Sequence, residues 1–127
     1  MRRRVALLAG TAGLVMLGTA TPAAADSTQC SVAASGTVAC AAGAEFVSYG
    51  EHLYVNDRAA DGHSALVRYW LADGTGPHTA RNSNGNGTTL DVNLELAEGS
   101  WIFYQVCVSE GATILAGTCS AGVTDYA

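Results

Sequence analysis

The stretch Thr89-Leu90-Asp91-Val92-Asn93-Leu94-Glu95-Leu96 alternates polar and apolar residues without a fault, and no window of residues 26–127 carries an apolar stripe at helical spacing. Strict alternation puts Leu90, Val92, Leu94 and Leu96 on one side of an extended chain. A strand with one apolar face must be covered by a second layer, so this pattern admits sheets and excludes bundles. The rest of the chain repeats the theme. Residues 97–100 form a turn, and 101–108 follow as a strand apolar on both faces, which belongs near a sheet centre. Glu110-Gly111 turns the chain into a short strand at 113–116. Upstream, strands are predicted at 51–56 and 64–71, joined by 57–63, with shorter ones at 44–47, around Val38 and at 78–82. Asp73-Gly74-Thr75-Gly76-Pro77 reads as a turn, and 82–87 as a polar loop. About seven short strands spaced in this way predict an all-β domain, an antiparallel β-sandwich of immunoglobulin-like type, with a small barrel as the alternative.

The N-terminal residues carry an export signal. Met1-Arg2-Arg3-Arg4 is a charged start, residues 5–19 are apolar but for Gly and Thr, and Pro22-Ala23-Ala24-Ala25 supplies a small-residue cleavage site. The apolar stretch is short and rich in Gly for a membrane span. Cleavage is expected after Ala25, by the general secretory route, leaving 26–127 as one domain. No cysteine follows Leu8-Ala9-Gly10 to take a lipid, and Val123-Thr124-Asp125-Tyr126-Ala127 carries no sorting pattern, so free release is expected. Residues 26–127 retain three arginines (Arg58, Arg68, Arg81) against eleven acidic residues, a formal charge of −8, and contain no lysine. That balance disfavours nucleic acid and anionic membranes as partners.

Four cysteines, Cys30, Cys40, Cys107 and Cys119, follow the signal. An even count in an exported chain predicts disulfides, and proximity selects Cys30–Cys40 and Cys107–Cys119. Each closure stabilises the fold by about 2.5–3 kcal/mol in the chain-entropy model. Separations of ten and twelve residues without CxxC fit neither zinc ligation nor redox exchange.

Candidate chemistry is thin. Gly62-His63-Ser64-Ala65-Leu66 lacks the second glycine of a nucleophile elbow, and Ser64 opens a strand where the elbow needs a helix. Asp57-Arg58-Ala59-Ala60-Asp61-Gly62 has Ala59 where a calcium loop needs an oxygen, and Arg68 where it needs Glu. Asn56, Asp57 and Asp61 are the residues of a non-EF-hand alternative, but Asp61-Gly62 is explained as a turn in which Gly takes positive φ. His52, His63 and His78 are scattered, as are Glu51, Asp91, Glu95 and Glu98, so no metal site, cofactor or acid–base pair is predicted. The expectation is that the protein is not an enzyme.

The segment Asn56-Asp57-Arg58-Ala59-Ala60-Asp61-Gly62-His63, followed by an alternating strand and later by Val106-Cys107-Val108, resembles a D-x-x-A-D-G turn motif of small secreted actinobacterial proteins. The resemblance covers about half of residues 26–127 and implies an extracellular location and this fold rather than an activity.

If Asp57 and His63 face each other across a hairpin, Tyr54 lies opposite Leu66 and His52 opposite Arg68. Parity then puts His52, Tyr54, Leu66, Arg68 and Trp70 on one face, and Leu53, Val55, Ala65, Val67, Tyr69 and Leu71 on a better core face. Aromatics beside an arginine are the stuff of recognition surfaces. The predicted binding residues are therefore Tyr54, Arg68, Trp70 and His52, and the predicted partner is an extracellular polysaccharide or another exported protein. The competing expectations are that loops cover these rings, or that the protein is a structural, envelope-associated one with no discrete ligand.

Overall fold

The computed structural model describes residues 26–127, and the expected export segment, 1–25, lies outside the described residues. The described residues form nine strands and no helix: β1 (Ser27–Cys30), β2 (Ala42–Val47), β3 (His52–Asp57), β4 (Ser64–Leu71), β5 (His78–Asn82), β6 (Thr89–Asn93), β7 (Trp101–Glu110), β8 (Thr113–Ile114) and β9 (Val123–Tyr126). One antiparallel sheet has the order β1-β2-β3-β6. The other has β5-β4-β7, with β8 and β9 both paired to β7. The chain changes sheet at β3–β4, β5–β6 and β6–β7.

Period two decides what lies between the sheets. Phe46, Leu53 and Val55 from the first sheet meet Val67, Ile102, Tyr104, Val106 and Val108 from the second, all essentially inaccessible to water. Burying side chains of this size stabilises by about 1.5–3 kcal/mol each. The apolar strand predicted for 101–108 is central as expected, with β4 on one side and β8 and β9 on the other. Both disulfides pair as proximity selected.

Some boundaries move. The alternation at 89–96 remains a strand only to Asn93, although Leu94 is still buried. The segment around Val38 is not a strand: Val38 is exposed in a loop where Thr37 N bonds Ala34 O, and Cys40 takes a φ of 60°. The strands β1 and β9, not predicted, bring the total from about seven to nine.

The larger correction concerns β3 and β4. They are not a hairpin; they belong to different sheets. Both edges of β3 are occupied by β2 and β6, and both edges of β4 by β5 and β7. Backbone bonds from Arg58 N to Ala41 O (2.9 Å) and from Gly87 N to Asp57 O (2.8 Å) hold the end of β3 in its own sheet. Residues 58–63 then carry the chain over the edge of the sandwich.

Candidate functional site

Because β3 and β4 part company, the four predicted binding residues divide between two opposite faces. His52 and Tyr54 lie outward on the first sheet, with their rings stacked at 5.6 Å. Arg68 and Trp70 lie outward on the second. The parity reading holds in β3, where Leu53 and Val55 are buried, and in β4 for Ala65 and Val67, but Leu66, expected on the outer face, is buried as well, opposite the disulfide-bonded Cys107. What fails is the assumed juxtaposition of the two strands.

The second sheet supplies Arg68 and Trp70 with different neighbours. The register of β4 on β7 sets Trp70 opposite Phe103 and Arg68 opposite Gln105. The Trp70 and Phe103 rings sit 5.5 Å apart at a tilt of 51°, a favourable aromatic geometry. Arg68 donates from Nε to Gln105 Oε1 at 2.8 Å, and its guanidinium carbon lies 5.9 Å from the centre of the Trp70 ring. Two residues before Phe103, Trp101 points the same way, and β9 places Tyr126 opposite it. Trp101 is 38% and Tyr126 52% exposed. Four aromatic rings, an arginine and an amide therefore share one outer face.

Neighbouring loops shape this face without closing it. A Cβ on Gly76 would come within 2.8 Å of the Trp70 ring and of Tyr69 O, and one on Gly122 would meet Phe103, so both loops lie close because those residues have no side chain. Trp70 and Phe103 remain half-buried rather than covered. Nearby, Thr75 bonds Asp73 Oδ1 through its hydroxyl (2.6 Å) and its amide (2.8 Å), and these bonds hold the Asp73 carboxyl below the usual carboxylate range.

The first sheet presents a different surface. Tyr54 stands between Glu45 and Asp91, its register partners, and His52 Nδ1 lies 2.7 Å from Asp91 Oδ1. The calcium alternative disperses. Asn56 points outward and accepts from Thr89 Oγ1, whereas Asp57 points inward and is buried. Asp61 Oδ1 accepts from His63 N at 3.0 Å and Gly62 takes a φ of 74°, as the turn reading requires. His63 pairs with Glu110 at 2.6 Å and His78 stacks on Tyr69, so the histidines stay apart. Among the described residues, no group of three or more His, Cys, Asp or Glu could hold a metal ion.

Sequence reasoning missed Phe103, Gln105, Trp101 and Tyr126. Period two alone puts Trp101, Phe103 and Gln105 on one face, but their adjacency to Trp70 depends on a pairing between strands thirty residues apart. Comparison with protein-family models, with curated proteins and with solved structures found no match.

Proposed function

We propose that this is an exported, non-catalytic recognition protein that grips an extracellular polysaccharide with the outer face of its second sheet. The observation that carries this reading is the Trp70–Phe103 pair, flanked by Trp101 and by the Arg68–Gln105 hydrogen bond, on a strand-built face open to solvent. Aromatic rings offer sugars a flat apolar surface for their C–H faces, and side-chain amides and guanidinium groups bond their hydroxyls. Strands hold such groups rigidly, so little ordering entropy is lost on binding. A protein partner would use the same residue types, but a row of rings along a sheet suits an extended chain of sugar units better than a globular surface.

Export rests on the Arg-rich start, the apolar segment and Ala23-Ala24-Ala25, and the two disulfides suit an oxidising compartment. The likeness to secreted actinobacterial proteins agrees with that location. We also read the strand pairing as immunoglobulin-like: β3 with β6 and β4 with β7 take the places of the B–E and C–F pairs, with β2 and β9 outside them.

Co-sedimentation with cell-wall polysaccharide and with polymers from culture medium tests the reading. Trp70→Ala and the more exposed Trp101→Ala are each expected to weaken binding by about 1–2 kcal/mol, roughly five- to thirtyfold, with the β-type circular dichroism retained. Unchanged capture by both variants of every polymer the parent protein binds eliminates this face. Retention in wall material that neither variant disturbs favours the structural, ligand-free alternative.

A further inference from the structure

The described chain holds eleven acidic residues and three arginines, and it does not mix them evenly. Arg68 and Arg81 both occupy outward positions on the second sheet, on β4 and β5. No Asp or Glu takes an outward position on β4, β5, β7 or β9; Asp125, the acid within β9, is turned inward and buried. Acids stand only beyond the ends of this face, as Asp73 and Glu98 do in turns, or at its margin, where Glu110 pairs with His63. The outer face of the first sheet is the reverse, with Glu45 and Asp91 displayed.

Neither guanidinium on the second sheet meets a carboxylate. Among the described residues the contacts between a basic side chain and a carboxylate within 4 Å are His52–Asp91 and His63–Glu110. The Nε of Arg68 is taken by Gln105, while its Nη groups have no hydrogen-bond partner among the described residues. Arg81 reaches toward the β7–β8 turn, where its Nη1 lies 3.7 Å from the place a Cβ on Gly111 would occupy. By register Arg68 lies opposite Gln105 and Arg81 opposite Leu66, itself opposite Cys107, so the two backbones stand about 7 Å apart along the strands, with the aromatic rings on the Trp101 side of Arg68 and with Leu66 and Cys107 buried beside Arg81. A chain with so many acids that, among its described residues, leaves two arginines without a carboxylate partner on a face whose acids stand only at the margin presents them to an acid from outside.

We infer that the polysaccharide taken by this face is anionic, a linear polymer bearing uronate carboxylates, held by ring stacking at Trp101, Phe103 and Trp70 and by ion pairing at Arg68 and Arg81. This inference rests on the polysaccharide reading above and deepens it. Guanidinium forks match carboxylates in a bidentate way, so the arginines select charge while the rings accept the sugar faces. The overall negative charge of the protein does not prevent this, because solvent ions screen charges beyond about 8 Å at physiological salt. A second copy of the chain is a poorer occupant, since face-to-face pairing would bring arginine-bearing faces together.

Affinity electrophoresis of the purified protein is run through polygalacturonate, alginate and hyaluronan, and through the same polymers with their carboxyl groups reduced to alcohols. The acidic polymers are expected to retard the protein roughly tenfold more strongly than the reduced ones at about 50 mM salt, with the difference largely lost at about 500 mM. Arg68→Gln and, independently, Arg81→Gln are expected to bring binding of the acidic polymers down toward that of the reduced ones. Trp101→Ala is expected to weaken both kinds. Equal binding of acidic and reduced polymers, or no effect of either arginine change, overturns the anionic inference while leaving the polysaccharide face standing. Absence of binding to all six polymers overturns the anionic inference. If Trp70→Ala and Trp101→Ala also both leave capture of wall polymers unchanged, the face itself falls. A dimer that forms with rising concentration and is broken by the Trp101 change assigns the face to a second copy and overturns both.

Discussion

Asp125 is held where its charge is least welcome. It lies against the core, accepts a 2.5 Å hydrogen bond from Ser27 Oγ, and neighbours Tyr104, whose hydroxyl donates to Ser27 O at 2.6 Å. Burial raises the Asp125 carboxyl above its ordinary value and pushes the Tyr104 phenol up to about 12. A carboxyl raised on folding keeps its proton in the native state while the unfolded chain has already released one. Stability from this group is therefore present at low pH and declines as pH rises from about 4 through the raised native value. Asp125→Asn, which keeps the shape without the charge, is expected to gain relative to the parent protein over that range. Thermal melts at stepped pH measure it, and parallel curves for the two proteins would count against the assignment. None of this was legible in the sequence. The sequence offers no strand pattern at Val123-Thr124-Asp125-Tyr126, and its pairing with β7 and the partners Ser27 and Tyr104, far away along the chain, set Asp125 inward on a strand.

Among the elements, β7 shows what period-two reading can and cannot supply. Its apolar character on both faces marked it as central, and its alternate residues Trp101, Phe103 and Gln105 were legible as one row. Which strand lies beside that row was not, because pairing is settled by the global arrangement rather than by local pattern. The link at 57–63 teaches the same lesson. Asp61 and Gly62 do form the expected turn, but turn chemistry says how a chain bends, not which sheet it enters next. The Asp73–Pro77 turn has a local role that can be tested. Gly76 sits at a φ of 128°, and a Cβ there would strike the Trp70 ring and Tyr69 O. Gly76→Ala is expected to destabilise by about 1–3 kcal/mol and to shift Trp70 fluorescence. Urea unfolding followed by emission checks both effects.

For the molecule as a whole, the two layers and both disulfides were readable because alternation and short loop closure are local properties. The order of strands within each layer was not. The layers are joined by apolar packing, by the Ser27 bonds to Tyr104 and Asp125, and by a wholly buried amide. Asn82, on β5, donates from Nδ2 to Val55 O (3.0 Å) and to Thr88 O (2.9 Å), while its Oδ1 receives Asn84 N and Thr88 Oγ1. Asn82→Ala is expected to cost about 2–4 kcal/mol, since buried partners lose their bonds, while unfolding remains a single transition. Calorimetry or urea titration reads the loss; a change below about 0.5 kcal/mol would show that the amide is not a tie between layers.

The two broad sides of the sandwich differ in sign, and this has a consequence for crowding. A molecule lying with Arg68 and Arg81 against a polyanion turns Glu45 and Asp91 to the bulk. The coated polymer thereby stays negative, so newcomers find acid wherever a neighbour has already settled. Adsorption would stop at a single layer instead of building up into a deposit.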